Sequence, residues 1–188
     1  MQRSAIEVMS SDYGLEDAFT GGVINTTLWQ VNGITVTETS TLNLAGSTDA
    51  WLRSVSAYNL TNKYAIVEFV DVPVAASTYT QQFLFAPSDA FASYIFLQVT
   101  NDQVKIHDSN LGLISTTFFA ADNRFFRFRS SGTTIYFDTS PDGSSWTNRH
   151  SWTTTVTITS MYVYLRHDVF TPFPTVTHKF RYFSSNLR

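Results

Sequence analysis

From residue 18 onward the chain alternates apolar and polar positions in short runs, and no stretch carries the spacing of a long amphipathic helix. The runs ITVTE (34–38), TLNLA (41–45), KYAIVEFVDV (63–72), TQQFLFA (80–86), ASYIFLQVT (92–100) and QVKIHD (103–108) predict strands. So do LGLIST (111–116), FFRFRS (125–130), TTIYFDT (133–139), VTITSMYVYLR (156–166) and TVTHKFRYF (175–183). Gly, Asn, Asp, Pro and Ser separate them, as turns require. This many short strands implies two packed sheets or a barrel.

Two connections are specified by their residues. Asn101-Asp102 joins two alternating runs as a short hairpin turn. Around Ser130-Ser131-Gly132-Thr133, symmetric pairing sets Phe128 opposite Ile135, Phe126 opposite Phe137, Arg127 opposite Tyr136 and Arg129 opposite Thr134. One face of that hairpin is then core and the other polar. Beyond it, in IYFDTSPDGSSWT (135–147), Pro141 pre-sets a turn made by Asp142-Gly143, and Asp138 or Ser140 supplies acceptors for free backbone N–H groups. Trp146 is expected to fold back under that turn as a plug. The stretch resembles the Asp-box turn of sialidases, S-x-D-x-G-x-T-W, but is one residue short, and that motif is itself structural.

Residues 1–17 break the pattern. Ser4 to Met9 suits either a short helix or an added strand, and 10–14 reads as a loop, so 1–17 is taken as an N-terminal arm and 18–188 as one domain. The segment FTPFP (170–174) is a proline-stiffened loop before the last strand.

Composition narrows the function classes. Hydrophobic residues make up 43%, with 16 Phe and 9 Tyr, enough apolar surface for one large core. Charged residues are only 14% and the net charge is −3, with no Lys/Arg run, which argues against nucleic-acid binding because phosphate neutralisation needs clustered cations. The absence of Cys excludes disulfides, thiolate metal sites and cysteine nucleophiles. No apolar run approaches the ~18 residues of a membrane span. The N-terminal segment lacks the apolar core of a signal peptide, and the whole chain is taken as the mature protein.

The opening DAFTGGVINTTLWQV, the middle WLRSVSAYNLTNKYAIVEF and the late block FFRFRSSGTTIYFDTSPDGSSWTNRHS together resemble the concanavalin A-like lectin/glucanase jelly-roll domains, in the versions found in minor tail and other virion proteins of tailed bacteriophages. The matching positions are Phe19, Leu52-Arg53-Ser54, Tyr58-Asn59-Leu60-Thr61, Phe126-Arg127-Phe128-Arg129, Gly132-Thr133 and Thr139 to Trp146. The resemblance spans about residues 18 to 183 and implies an all-β, two-sheet antiparallel jelly-roll sandwich. It further implies a non-enzymatic structural or adhesion component of a phage particle, a tail or capsid decoration in contact with other virion subunits and with host surface glycans. The habits of such parts make a homotrimer the expected assembly. A free carbohydrate-binding module and a glycoside hydrolase are the alternatives.

Hydrolysis of a glycan needs two carboxylates facing one sugar. The glucanase branch of the fold displays Glu-x-Asp-x-Glu on one strand, and this chain has no such run; Glu68 and Asp71 have odd spacing and point to opposite faces. There is no G-x-S-x-G elbow. His107-Asp108 and His167-Asp168 are sequence neighbours, so a strand sends the members of each pair to opposite faces. Asp102, Asp108, Asp122 with Asn123, and Asp142 are loop-edge candidates for calcium, but no loop gathers three of them, and no metal or other cofactor is expected. Sugar binding without catalysis asks for a flat aromatic ring beside planar polar groups. Arg127, Tyr136 and Asp138, with Arg129, supply that mixture on the polar face of the hairpin; Trp51 and Arg53 share a strand face; Trp152 lies in a Thr-rich stretch read as a loop.

Overall fold

The periodic pattern becomes alternating burial. In β7 (Ile95–Thr100), Ile95, Leu97 and Val99 are buried while their neighbours are half-buried, and in β8 (Gln103–Asp108) Val104, Ile106 and Asp108 are buried. The computed structural model describes residues 15–33, 35–38, 41–46, 49–70, 79–100, 103–118, 124–169 and 176–187. Among these, fourteen strands form two seven-stranded sheets, and every pairing between strands is antiparallel.

The first sheet runs in the order β1 (Trp29–Asn32), β4 (Ala50–Ser54), β13 (Tyr162–Val169), β6 (Tyr79–Ala86), β7, β8 and β9 (Gly112–Phe118). The second runs β12 (Thr147–Thr153), β11 (Thr134–Ser140), β10 (Phe125–Ser131), β5 (Tyr64–Phe69), β14 (Val176–Ser185), β3 (Leu42–Gly46) and β2 (Thr35–Glu38). The chain changes sheet repeatedly; among the described strands β2–β3, β6 to β9 and β10 to β12 are successive in sequence and adjacent in their sheet. This is the two-sheet antiparallel sandwich that the sequence leads one to expect.

Phenylalanine fills the space between the sheets. Phe83 of β6 meets Phe85 at 5.0 Å, Phe128 at 5.8 Å and Phe183 at 6.0 Å between ring centroids, so one ring ties both layers together. Phe69 sits 5.1 Å from Phe126 and 5.0 Å from Phe180. Tilted and edge-on contacts of this kind suit the ring quadrupoles better than face-to-face sandwiches.

Three details depart from expectation. The β10–β11 hairpin pairs Phe128 with Phe137, Phe126 with Thr139, Arg127 with Asp138 and Arg129 with Tyr136, two residues away from the symmetric register. The turn is only Gly132-Thr133, with Ser130 and Ser131 already in the ladder, and Gly132 at φ +58 takes the position that a II′-type turn reserves for glycine. The run 156–166 is not one strand: β13 begins at Tyr162, and the preceding stretch docks through Leu60 N donating to Ile158 O (2.8 Å) and a bridge between Tyr58 and Met161. Strands β1 and β12 lie at sheet edges and carry mostly exposed side chains, which weakens their alternation.

The packed fold also begins before residue 18. Leu15 is buried, its carbonyl accepting from Ser185 Oγ (2.7 Å), and Asp17 pairs with Phe183 and accepts from Trp29 Nε1 (2.9 Å). Residues 1–14, the Asn101-Asp102 turn and the 170–174 loop lie outside the described residues, although Thr100 pairs with Gln103 directly across that turn.

Candidate functional site

The sequence candidates fall on opposite sides of the sandwich. Arg127, Tyr136 and Asp138 share the outer face of the second sheet. There the buried Asp138 carboxylate accepts from Arg127 Nε (2.9 Å), Arg129 Nε (2.8 Å) and Asn148 Nδ2 (2.8 Å). The Arg127 guanidinium lies 4.2 Å over the Trp146 ring and that of Arg129 lies 3.9 Å over Tyr136. Each aromatic thus has a cation on a face. The cluster reads as a cross-strand ladder that ties β10, β11 and the following turn.

That turn builds and does no chemistry. Asp142 accepts from Ser144 N (2.8 Å), Ser145 N (2.7 Å) and Ser140 Oγ (2.9 Å). The two backbone donors first, and the hydroxyl after them, hold its carboxyl well below the usual range. Trp146 does not sit as a plug under the turn but half-buried against Arg127. Trp152 is also placed differently from expectation: it belongs to β12, turns into the core at 9% exposure, and donates from Nε1 to Asp108 at 3.0 Å. A ring so enclosed offers no stacking platform to a sugar.

Trp51 and Arg53 instead lie on the open face of the first sheet, the face turned away from the second sheet. Here β4, β13, β6 and β7 present a second aromatic cluster, separate from the main core: Trp51, Leu84, Ala86 and Tyr164, with Phe91, Tyr94, Phe96 and Tyr162 packed on them. Cross-strand register brings Trp51 beside Arg166, Arg166 beside Gln82, and Gln82 beside Gln98. The resulting groove of about 290 Å³ is lined by Gln82, Leu84, Phe91, Tyr94, Phe96, Gln98, His107, Arg166 and Asp168. Apolar rings with a few planar polar groups are the usual make-up of a small-molecule or sugar site.

The polar groups of the groove form one network. Arg166 Nη2 donates to Asp49 Oδ2 (2.7 Å) and Asp168 Oδ1 (2.9 Å), its Nη1 to Gln82 Oε1 (3.2 Å), and Gln82 Nε2 donates to Asp168 Oδ2 (3.0 Å). Burial pushes the Asp168 carboxyl up to about 6; Arg166 opposes the shift and the neighbouring Asp49 adds to it. His107 stacks on Phe96 at 4.6 Å, and burial, with Lys105 nearby, lowers its pKa and favours the neutral ring.

Asp168 gives a pH dependence of definite sign. Its folded pKa is raised above the value of about 3.9 in an unfolded chain, so between those two values the folded state holds the extra proton. Its contribution therefore favours folding at low pH and is lost as pH rises through about 6. The Asp168→Asn variant is expected to gain stability relative to wild type as pH goes from 4.5 to 7.5, read from urea midpoints. A constant difference across that range would contradict the assignment.

The His-Asp neighbours separate as expected. His107 faces the groove while Asp108 is buried in the core, and His167 is buried while Asp168 faces the groove. Among the described residues no three His, Asp or Glu side chains gather in a way that could hold a metal ion.

No family model matches the chain, and no curated protein matches it in sequence. Solved structures do share its fold. A Bacillus licheniformis beta-glucanase superposes with a TM-score of 0.68 at 12% identity, over 95% of this chain and all of that one. The calcium- and mannose-bound exoplasmic/lumenal domain of VIP36 gives 0.62 at 14% identity, over 84% of this chain and 82% of that one. A family 16 endo-glucanase from Bacteroides ovatus, in complex with G4G3G-2F-DNP, gives 0.62 at 8% identity, over 90% and 98%. The fold is the jelly roll of concanavalin A-like lectins and glucanases; nothing among these structures links the chain to a phage tail. They also correct the expectation that the chain is not an enzyme. Glycoside hydrolases stand among its structural neighbours, and absence of a Glu-x-Asp-x-Glu strand does not exclude catalysis when acidic side chains converge from different elements, as Asp49 and Asp168 do.

Proposed function

We propose that the groove on the open face of the first sheet binds a carbohydrate, with Tyr94, Phe96 and Phe91 offering apolar surface and Gln82, Gln98, His107 and Arg166 meeting hydroxyl groups. The observation that carries this reading is the convergence of rings and planar polar side chains from four adjacent strands in one groove. The sugar-binding and sugar-cleaving neighbours support it as fold-level analogy. On the strength of the sequence resemblance, the proposal extends to a domain displayed on a phage particle and touching glycans of the host surface.

The test is cosedimentation with insoluble envelope polysaccharide from candidate bacterial hosts, followed by titration with soluble glucan, mannan and xylan oligosaccharides. Tyr94→Ala and Arg166→Ala are each expected to weaken binding about tenfold or more, since each 1.4 kcal/mol is a factor of ten. Arg129→Ala, on the opposite face, leaves it unchanged. Equal losses in all three variants, or none on any glycan, would defeat the reading.

A second reading, hydrolysis, is favoured by one observation: Asp49 and Asp168 present carboxylate oxygens to a single nitrogen of Arg166. Retaining glycosidases hold their two carboxyl groups about 5 Å apart. A carboxyl with a pKa raised to about 6 keeps a protonated fraction near neutral pH, which a proton donor to a leaving oxygen needs. Release of reducing sugar that Asp168→Asn abolishes while binding persists would establish this reading.

A further inference from the structure

The connection from β6 to β7, residues 87–94, does not leave the sheet by the shortest route but folds back over its open face. Residues 87–90 are exposed, yet Asp89 reaches down so that its Oδ1 accepts from Arg53 Nη1 and from Tyr164 Oη, each at 2.8 Å. Phe91 follows with φ +47, a left-handed conformation that a bulky side chain rarely adopts. Its ring packs on Tyr164 at 5.2 Å and under the Arg166 guanidinium at 4.9 Å, inside the groove. At its far end the connection is anchored: Tyr94 N donates to Ser109 Oγ (3.0 Å) and Ser109 N to Tyr94 O (2.9 Å).

Two further atoms belong to this arrangement. Arg53 Nε and Arg166 Nε are both buried without a hydrogen-bond partner, and their guanidinium groups are the ones touched by Asp89 and by Phe91. Burying a cationic N–H with no acceptor is unfavourable, so the closed arrangement leaves polar demand unmet at both arginines. Backbone strain and unmet donors of this kind gather where a segment has a second position.

We propose that residues 87–94 are a lid hinged near Tyr94, latched by Asp89 and plugged into the groove by the Phe91 ring, and that opening it exposes the two Nε–H donors to whatever the groove binds. The latch is weak by construction. Asp89 is 47% exposed, and an ion pair open to solvent is screened by salt. The strained Phe91 backbone relaxes on release. The groove then has two depths: a shallow one with the ring in place and a deeper one, reaching Tyr164 and both guanidinium groups, with the ring out.

Amide hydrogen exchange of the free protein tests the lid without any ligand, so its outcome is separate from whether the groove binds a glycan. In wild type, amides of 88–93 are expected to exchange faster when salt is raised from 50 to 500 mM, while those of β6 and β7 stay protected. Asp89→Ala is expected to speed the same amides by about tenfold with the flanking strands unchanged, as for a local opening with its own free energy. Tyr164→Phe, which removes one hydroxyl and nothing else, is expected to act in the same direction to a smaller extent. Unchanged exchange of 88–93 in both variants, or acceleration spread evenly over β6 and β7, would overturn the proposal.

Discussion

Replacing Phe83 with Ala is expected to lower the stability of the domain by about 4 kcal/mol, in the range of large-to-small changes at fully buried aromatic positions. Phe83 is fully buried on β6, in the middle of the first sheet, and its ring meets Phe85 beside it and Phe128 and Phe183 across the sandwich. No one neighbour can fill the gap, because Phe128 is already committed to Phe137 at 5.9 Å and to Trp152 at 6.3 Å. The loss is therefore transfer free energy plus a cavity that stays open. Urea unfolding should show the midpoint falling with its slope unchanged. Phe83→Leu, which keeps most of the volume, should cost much less. A loss below about 1 kcal/mol for Phe83→Ala would mean that the two sheets repack freely and that the aromatic cluster does not set their spacing.

The second large effect is polar. Asp108 is fully buried at the end of β8, where Oδ2 accepts from Trp152 Nε1 (3.0 Å) and Thr154 Oγ1 (2.5 Å) and Oδ1 accepts from Asn110 N (3.0 Å). The carboxylate thus joins the first sheet to β12 at the edge of the second. Asp108→Ala strands two buried side-chain donors, each costing about 1–3 kcal/mol, and a total of about 3 kcal/mol is expected. Adding Trp152→Phe removes one stranded donor, so the double variant should be less unstable than the sum of the two single changes. Additive losses would show that the Trp152 indole N–H does not depend on Asp108. Asp108→Asn keeps an acceptor and should fall between wild type and Asp108→Ala.

The parts of this molecule that could be read from the chain are those governed by period. Strands β7 and β8 alternate throughout, and β10 and β11 alternate over Phe125–Arg129 and Thr134–Phe137, because one face of each meets the core, so their side-chain faces are legible. The register of the β10–β11 hairpin was not, since a shift of two residues leaves every side chain on the same face. Only the glycine at φ +58 distinguishes the tight turn from the longer one. Strand β12 is hidden because, as an edge strand, it exposes Thr147, Asn148, Arg149, Ser151 and Thr153, half-buries His150 and buries Trp152 alone. The Thr-rich sequence around Trp152 therefore carries no strand period.

The groove was illegible for a different reason. Its side chains come from β6, β7, β8 and β13 and from the β6–β7 connection, and those of β13 become neighbours of the others only through the strand order β13-β6-β7-β8. A rule that seeks acids two apart on one strand cannot find Asp49 with Asp168, which meet through Arg166 across more than a hundred residues of chain. One signal was present in the sequence. The positions of β13 that alternate with core residues are Tyr162, Tyr164, Arg166 and Asp168, too aromatic and too charged for a face that simply meets water. By contrast, the hairpin residues Arg127, Tyr136 and Asp138 form a cation–aromatic ladder with Arg129, and such a ladder uses the same residue types as a sugar site.

Titration of the domain with the tightest-binding glycan of the panel, followed through backbone and aromatic NMR resonances, maps the footprint of the bound oligosaccharide. The groove reading predicts shifts confined to Tyr94, Phe96, His107, Gln82 and the outward residues of β13, with Arg127, Tyr136 and Trp146 silent. Shifts centred on β10, β11 and Trp146, with the first sheet silent, would place the ligand on the opposite face and contradict it.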